Sequence, residues 1–186
     1  MQLGTVTVAS APLAALRVPG RGAFRLAGRL SDSDGLMGWI AAGDHRVRAI
    51  PAEDRPIAAD DPAAFVAPYR HPRKILGIGL NYRAHADDLR APLPDDTPAS
   101  FLKGDHTIIG PGEPIRIPPG IGKITAEAEL GLVIGRTCYR VDEADALSYV
   151  FGVCAILDQT AEDVLQRNPR FLTRAKNYPT FFSFGP

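Results

Sequence analysis

Ile124-Thr-Ala-Glu-Ala-Glu-Leu-Gly-Leu-Val-Ile134 is the clearest extended segment of the chain. Side chains alternate across a strand, so an extended reading puts Glu127 and Glu129 on one face and Ala126, Ala128 and Leu130 on the other. Glutamate is depleted in strands, and like charges on one face repel. A divalent cation would remove that repulsion and use both carboxylates. A solvated strand face with two harmless acids is the blander reading, and for Glu-x-Glu alone it is the preferred one.

The chain downstream of this strand changes the weighing. Asp142 to Tyr149 reads as a short helix, and the apolar run Phe151-Gly-Val-Cys-Ala-Ile-Leu157 as a fully buried strand. Asp158 follows at its mouth, either as an N-cap for a helix over Thr160 to Gln166 or as a third hard oxygen donor facing the glutamates. Thr160 is itself a candidate N-cap for that helix. Three carboxylates without His or Cys suit Mg²⁺, Mn²⁺ or Ca²⁺ better than zinc or copper. The aromatic end, Thr180-Phe-Phe-Ser-Phe-Gly-Pro186, needs a sheet to dock into unless the chain has been cut there.

Upstream, Lys74-Ile-Leu-Gly-Ile-Gly-Leu80 reads as a buried strand, and Asn81 to Leu89 as a helix. Ser100 to Lys103 and Thr107 to Ile117 form a strand-turn pattern around Gly110-Pro-Gly112. Residues 1–71 read as a small N-terminal subdomain and 72–186 as the main domain. The first part has strand-like pieces at Thr5 to Val8 and Ala23 to Leu26. It also has a helix near Asp34 to Ala42 stopped by Gly43, and a linker with a little helix from Pro56 to Pro68.

The 186 residues are 45% hydrophobic with zero formal net charge, enough for a core and with no electrostatic reason to expect nucleic acid or a membrane surface as partner. The basic clusters, Arg46 to Arg48 and Arg167 to Arg174, are short and interrupted. Two cysteines, Cys138 and Cys154, form neither a zinc ribbon nor a disulfide framework. No signal peptide and no membrane-length apolar stretch is present, which points to the cytoplasm.

Further polar groups have weaker signals. His85 stands three residues before Asp88, on one helical face, where a carboxylate would orient the imidazole as a general base. Lys176 could hold a substrate carboxylate or an oxyanion. Taken alone, a surface histidine and a solvated basic loop are the better readings. His106 has no specific spacing. Gly77-x-Gly79 lacks the third glycine of a dinucleotide loop, which Tyr82 replaces.

From about Lys74 to Pro186 the chain resembles the fumarylacetoacetate hydrolase family. The stretches that carry the likeness are Gly77-Ile-Gly-Leu-Asn-Tyr-Arg-Ala-His85, Phe101-Leu-Lys103, Ile109-Gly-Pro-Gly112, Glu127-Ala-Glu-Leu130, the strand from Phe151 to Asp158, Arg174-Ala-Lys176 and Phe182-Ser-Phe-Gly-Pro186. The resemblance implies an α+β, β-rich fold with a mixed β-sandwich or β-roll core and short helices. It implies Glu127, Glu129 and Asp158 as ligands of Mg²⁺ (or Mn²⁺ or Ca²⁺). His85 corresponds to the catalytic histidine on a mobile lid, with Asp88 where a glutamate is usual, and Lys176 to the active-site lysine. Leu157-Asp158 departs from the usual Asn-Asp, and Pro179 from an Asp before Thr-Phe. The family continues with a Gly-Thr-Pro loop and further strands, so the resemblance also implies that the C-terminal part of the family domain is missing here.

The implied chemistry is metal-dependent hydrolysis of a carbon–carbon bond in a 2-oxo or 1,3-dioxo acid by a homodimer. Decarboxylation and hydration or isomerisation are alternatives on the same fold. A non-catalytic ligand-binding or assembly protein is the reading from another class.

Overall fold

The computed structural model describes residues 1–8, 11–17, 19–20, 24–29, 35–42, 56–57 and 65–185. The expected stop at Gly43, the basic cluster Arg46 to Arg48 and any helix within 58–64 lie outside the described residues.

The decisive strand is extended over its whole expected length. Strand β9 (Ile124–Ile134) pairs antiparallel with β10 (Val150–Ala161), in a register that sets Asp158 opposite Glu127 and Ile156 opposite Glu129. Between them lie α3 (Glu143–Ala146) and a 3-10 turn at Leu147–Tyr149. Strand β11 (Phe182–Gly185) runs antiparallel to β10, with Phe182 opposite Asp158, and β8 (Ile108–Ile109) joins β11 in parallel. The order is β8-β11-β10-β9, so the aromatic end of the chain docks inside a four-stranded sheet.

One face of this sheet changes character along its length. Ile108, Phe182 and Phe184 are buried with Ala67, and Tyr69, Ile75, Cys154 and Ile156 pack against them. Gly131 belongs here because a Cβ would collide with Ile156 and the Cys154 sulfur. On the same face come the carboxylates: Asp158 between Glu127 and Phe182, and Glu129 across from Ile156.

Two other sheets flank this one. Strands β6 (Ile75–Gly79) and β7 (Ala99–Lys103) pair with Ile75 opposite Lys103 and Gly77 opposite Phe101. Helix α2 (Arg83–Leu89) follows β6. A five-stranded sheet, β4-β3-β2-β1-β5, is drawn from β1 (Gln2–Val8), β2 (Ala11–Arg17), β3 (Phe24–Arg29), β4 (Pro56–Ile57) and β5 (Phe65–Val66). On it, Ala14 and Leu16 bury Leu36 and Ile40 of α1 (Gly35–Ala42), and Val133 and Phe151 of the β9–β10 pair pack against that cluster. The chain is thus β-rich with short helices, as the resemblance implies.

Three local expectations need correction. The runs Lys74 to Leu80 and Phe151 to Leu157 are strands but not fully buried: Leu76 and Val153 are each 63% exposed. An apolar run does not require two covered faces, because an antiparallel sheet can leave one open. The second strand also continues through Asp158 to Ala161 before helix α4 (Glu162–Arg167), so neither Asp158 nor Thr160 caps that helix; its N-cap is Ala161. Cross-strand pairing with β9 outcompetes the cap. Beyond β8, Gly110 to Glu113 form a turn, and Pro114 to Ile117 stay irregular.

Tyr69 links the N-terminal and central clusters, its ring 4.9 Å from that of Phe184. Burial, helped by Cys154 beside it, pushes its phenol up to about 12. The folded state therefore holds this proton more tightly than the unfolded chain does. That contribution is full below pH 10 and is lost as pH rises toward 12, at a cost on the order of 2 kcal/mol. Alkaline denaturation of Tyr69→Phe should lack this step, seen as a smaller loss of stability between pH 10 and 12 than in the parent.

Candidate functional site

The charged end of the sheet face is a buried cluster of two carboxylates and two ammonium groups. The opposition of Asp158 and Glu127 follows from the strand register. Asp158 is 5% exposed. Its Oδ2 accepts from Lys176 Nζ at 2.7 Å and its Oδ1 from Lys103 Nζ at 2.6 Å. Lys176 Nζ also donates to Glu127 Oε2 at 2.5 Å. The hydroxyl of Thr160 donates to Glu127 Oε1 at 3.3 Å. Lys176 lies 4.8 Å from the centre of the Phe101 ring, which lies across Gly77 where any side chain would collide.

The lysines reach the sheet from two neighbouring segments. Phe101 and Lys103 alternate onto the buried face of β7. Lys176 ends α5 (Leu172–Lys176), a single helical turn after a 3-10 turn at Pro169–Phe171. Asn177 staples the segments together: its Oδ1 accepts from Gly104 N at 2.8 Å, and its Nδ2 donates to Leu102 O and Thr173 O at 2.7 Å each. His106, in the 3-10 turn Asp105–Thr107, lies with Nε2 2.9 Å from Asn177 O and serves the same joint.

The two ammonium groups respond oppositely to this environment. Burial pushes the Lys103 pKa down, and the Asp158 carboxylate only partly offsets it. Burial also opposes the charge on Lys176, but Asp158 and Glu127 together outweigh it and raise that pKa. A buried ion cluster is costly to desolvate and rarely the cheapest route to stability. Concentrated here, on one patch of a sheet, it makes this patch the candidate functional site.

Glu129 shares the face with Glu127, two residues along, and is partly buried. Among the described residues no three His, Cys, Asp or Glu side chains gather closely enough to hold a metal ion. What stands between Glu127 and Asp158 instead is the Lys176 ammonium, a cation bridging two carboxylates. The donor set fits a hard divalent ion in chemistry and in face: all oxygen, with Glu129 adjoining. His85 and Asp88 lie on α2, both exposed, and among the described residues no hydrogen bond or ion pair joins them to each other or to the cluster. Strand β6 leaves the neighbourhood of Lys103 at Ile75 and ends at Gly79, about 13 Å along, and α2 starts beyond it.

Sequence reasoning singled out neither Lys103, nor Asn177, nor Thr160 as a ligand's partner. Lys103 carried a usable signal: in a strand, Phe101-x-Lys103 puts the lysine on the face of a buried aromatic. The model of the fumarylacetoacetate hydrolase C-terminal domain matches residues 74–186, well over half of the chain and all of this cluster.

The chain belongs to the fumarylacetoacetate hydrolase family. Among relatives, a protein of Burkholderia lata named as a hydrolase is 40% identical over 146 residues, 78% of this chain and 51% of its own length. One of Burkholderia cenocepacia, also named as a hydrolase, is 37% identical over 172 residues, 89% of this chain and 60% of its own length. The chain thus spans about half to three fifths of the curated relatives it matches. The solved 5-carboxymethyl-2-hydroxymuconate delta-isomerase of Mycobacterium smegmatis is 26% identical with a TM-score of 0.73, covering all of this chain and 64% of that one. The fumarylacetoacetate hydrolase of Exiguobacterium antarcticum, 23% identical with a TM-score of 0.75 over 98% of this chain and 64% of that one, shares the fold. Members of the family are thus named for both hydrolysis and isomerisation. No helix among the described residues is long and apolar enough to cross a membrane.

Proposed function

We propose that this chain carries the carboxylate site of a divalent-metal-dependent hydrolase that cleaves a carbon–carbon bond in a 2-oxo or 1,3-dioxo acid. The observation that carries the reading is the pairing of Glu127 and Asp158 around a buried cation, in a family member whose relatives are named hydrolases. Glu127, Glu129 and Asp158 would hold the ion, Mg²⁺ (or Mn²⁺ or Ca²⁺). When bound, it would supply Lewis-acid polarisation of a keto oxygen.

The chain's own residues divide the remaining work. Lys103 fixes the orientation of Asp158, and Thr160 that of Glu127. Lys176 donates hydrogen bonds to a substrate carboxylate or to developing negative charge. His85 takes a proton from water, with Asp88 orienting the imidazole. This requires α2 to move in from the end of the β6–β7 ribbon, as a lid. A homodimer and a cytoplasmic setting belong to the same reading.

Isomerisation is the second reading, supported by the isomerase names of structures 26% identical to this chain. There His85 only moves a proton between carbons, and water is not consumed. The test is a substrate panel of acylpyruvates, oxaloacetate and 2-oxo-3-deoxy sugar acids, assayed with Mg²⁺ or Mn²⁺. Metal-dependent release of two carbon fragments from an acylpyruvate, abolished by chelator and by Glu127→Ala, is the expected result. A shifted double bond without cleavage would favour the isomerase. Turnover indifferent to chelator would contradict both.

A further inference from the structure

Two buried lysines share one aspartate, and they hold it in different ways. The Lys103 side chain is 1% exposed. Its ammonium meets three acceptors: Asp158 Oδ1 at 2.6 Å, the Lys176 carbonyl and, at 3.5 Å, the Gln159 carbonyl. An ammonium has three donors, so its capacity is filled. Two of those acceptors are backbone carbonyls of β10 and α5, which cannot leave without breaking the framework. The Lys176 carbonyl is also one of the end carbonyls that a short helix leaves without an internal partner.

Among the described residues the Lys176 ammonium hydrogen-bonds only to carboxylates, with the Phe101 ring 4.8 Å away. Its ammonium bridges Glu127 Oε2 at 2.5 Å and Asp158 Oδ2 at 2.7 Å. On that side the cluster opens: the Glu127 side chain is 27% exposed, against 7% for Asp158. A divalent ion held by Glu127 and Asp158 needs oxygens that the ammonium now bridges at hydrogen-bond length. Two cations cannot both sit between those two oxygens at contact distance, because their mutual repulsion at a few ångströms in a partly desolvated site exceeds what one shared contact returns.

We propose that Lys103 is a fixed positioning residue of the carboxylate site, while Lys176 is its exchangeable cation, which leaves the Glu127–Asp158 edge when a divalent ion enters. The proposal rests on the metal reading above and refines it. It explains why the same cluster needs two lysines. One keeps Asp158 Oδ1 engaged and aims Oδ2 at Glu127 whether or not metal is present. The other holds the two carboxylates together until metal arrives, and is then released at the site's open edge with an ammonium available to a substrate anion. Its backbone stays in place, because Lys103 and Asn177 anchor that end of α5 to β7.

The test uses the intact protein and Mn²⁺, with two readouts that do not depend on turnover. Amine labelling by reductive methylation, followed by mass spectrometry, should modify Lys176 faster in saturating Mn²⁺ than without it, while Lys103 stays unmodified in both. Calorimetry should give Lys176→Met an Mn²⁺ affinity about tenfold or more above the parent, because the competing cation is gone. If Glu127→Ala abolishes Mn²⁺ uptake but the labelling of Lys176 does not change with Mn²⁺, the exchange fails and the metal reading stands. Labelling of Lys103 in parallel with Lys176 would overturn the fixed role of Lys103. If neither the parent nor Lys176→Met takes up Mn²⁺, the metal reading falls and the exchange falls with it.

Discussion

Asp158→Ala is expected to lower the stability of the folded chain by about 3–5 kcal/mol, the cost of stripping buried charges of their partner. Among the described residues the change leaves Lys103, whose side chain is 1% exposed, with two backbone carbonyls as acceptors, and Lys176 with the Glu127 carboxylate. Burial already pushes Lys103 toward its neutral form. Without Asp158 nothing of opposite charge contacts it among the described residues, so its ammonium either discharges or draws water into the sheet edge. Asp158→Asn keeps the shape and one acceptor, and should cost less. Glu129→Ala should cost under about 1 kcal/mol, since a partly exposed acid outside the ion pairs contributes little to stability. Chemical denaturation of the three variants beside the parent checks the order. An Asp158→Ala variant within 1 kcal/mol of the parent would mean that the cluster is not the charged network described here.

The second large effect is on rate. His85→Ala should cut turnover by about 10²–10⁴-fold, the usual contribution of a positioned general acid or base. It should leave both Mn²⁺ affinity and thermal stability unchanged, because His85 is exposed and, among the described residues, shares no hydrogen bond or ion pair with the cluster. The dissociation of the three quantities is what matters. A parallel fall in metal affinity would make His85 structural, and unchanged turnover would remove α2 from the chemistry. Asp88→Asn, one helical turn on, should lose less turnover than His85→Ala, since in the proposed reading it acts through His85 and not on substrate.

The sequence made the sheet legible where its period was strict. Eleven residues of alternation identified β9, and with it the shared face of Glu127 and Glu129. The neighbouring run to Leu157 was legible as a strand, but its end was not. Thr160 and Glu162 look like a helix start, and only the cross-strand register shows that pairing runs on to Ala161 opposite Ile124. Burial was least legible. Leu76, Leu130, Leu132 and Val153 are apolar and exposed, because hydrophobicity reports a preference, not the presence of a covering layer.

At the site, the acids could be read as a group because they lie close in sequence once two strands are paired. Lys103 could not, since its partners stand 55 to 73 residues away and a buried lysine carries no local signature. Its neighbour Phe101 was the one usable sign. The same gap in information explains Lys176. Its place beside the acids came from resemblance, while its insertion between them is visible only in three dimensions. His85 is the reverse case: sequence order groups it with the site, and the fold places its helix at the far end of a ribbon.

The most direct test of a divalent-metal site on the β9–β10 face is a calorimetric titration of the intact protein with Mn²⁺, paired with the same titration of Glu127→Ala. Uptake of one ion per chain, abolished by the substitution while the variant still unfolds cooperatively, is the predicted result. A folded parent that takes up no Mn²⁺, or a Glu127→Ala variant that binds it as the parent does, would contradict it.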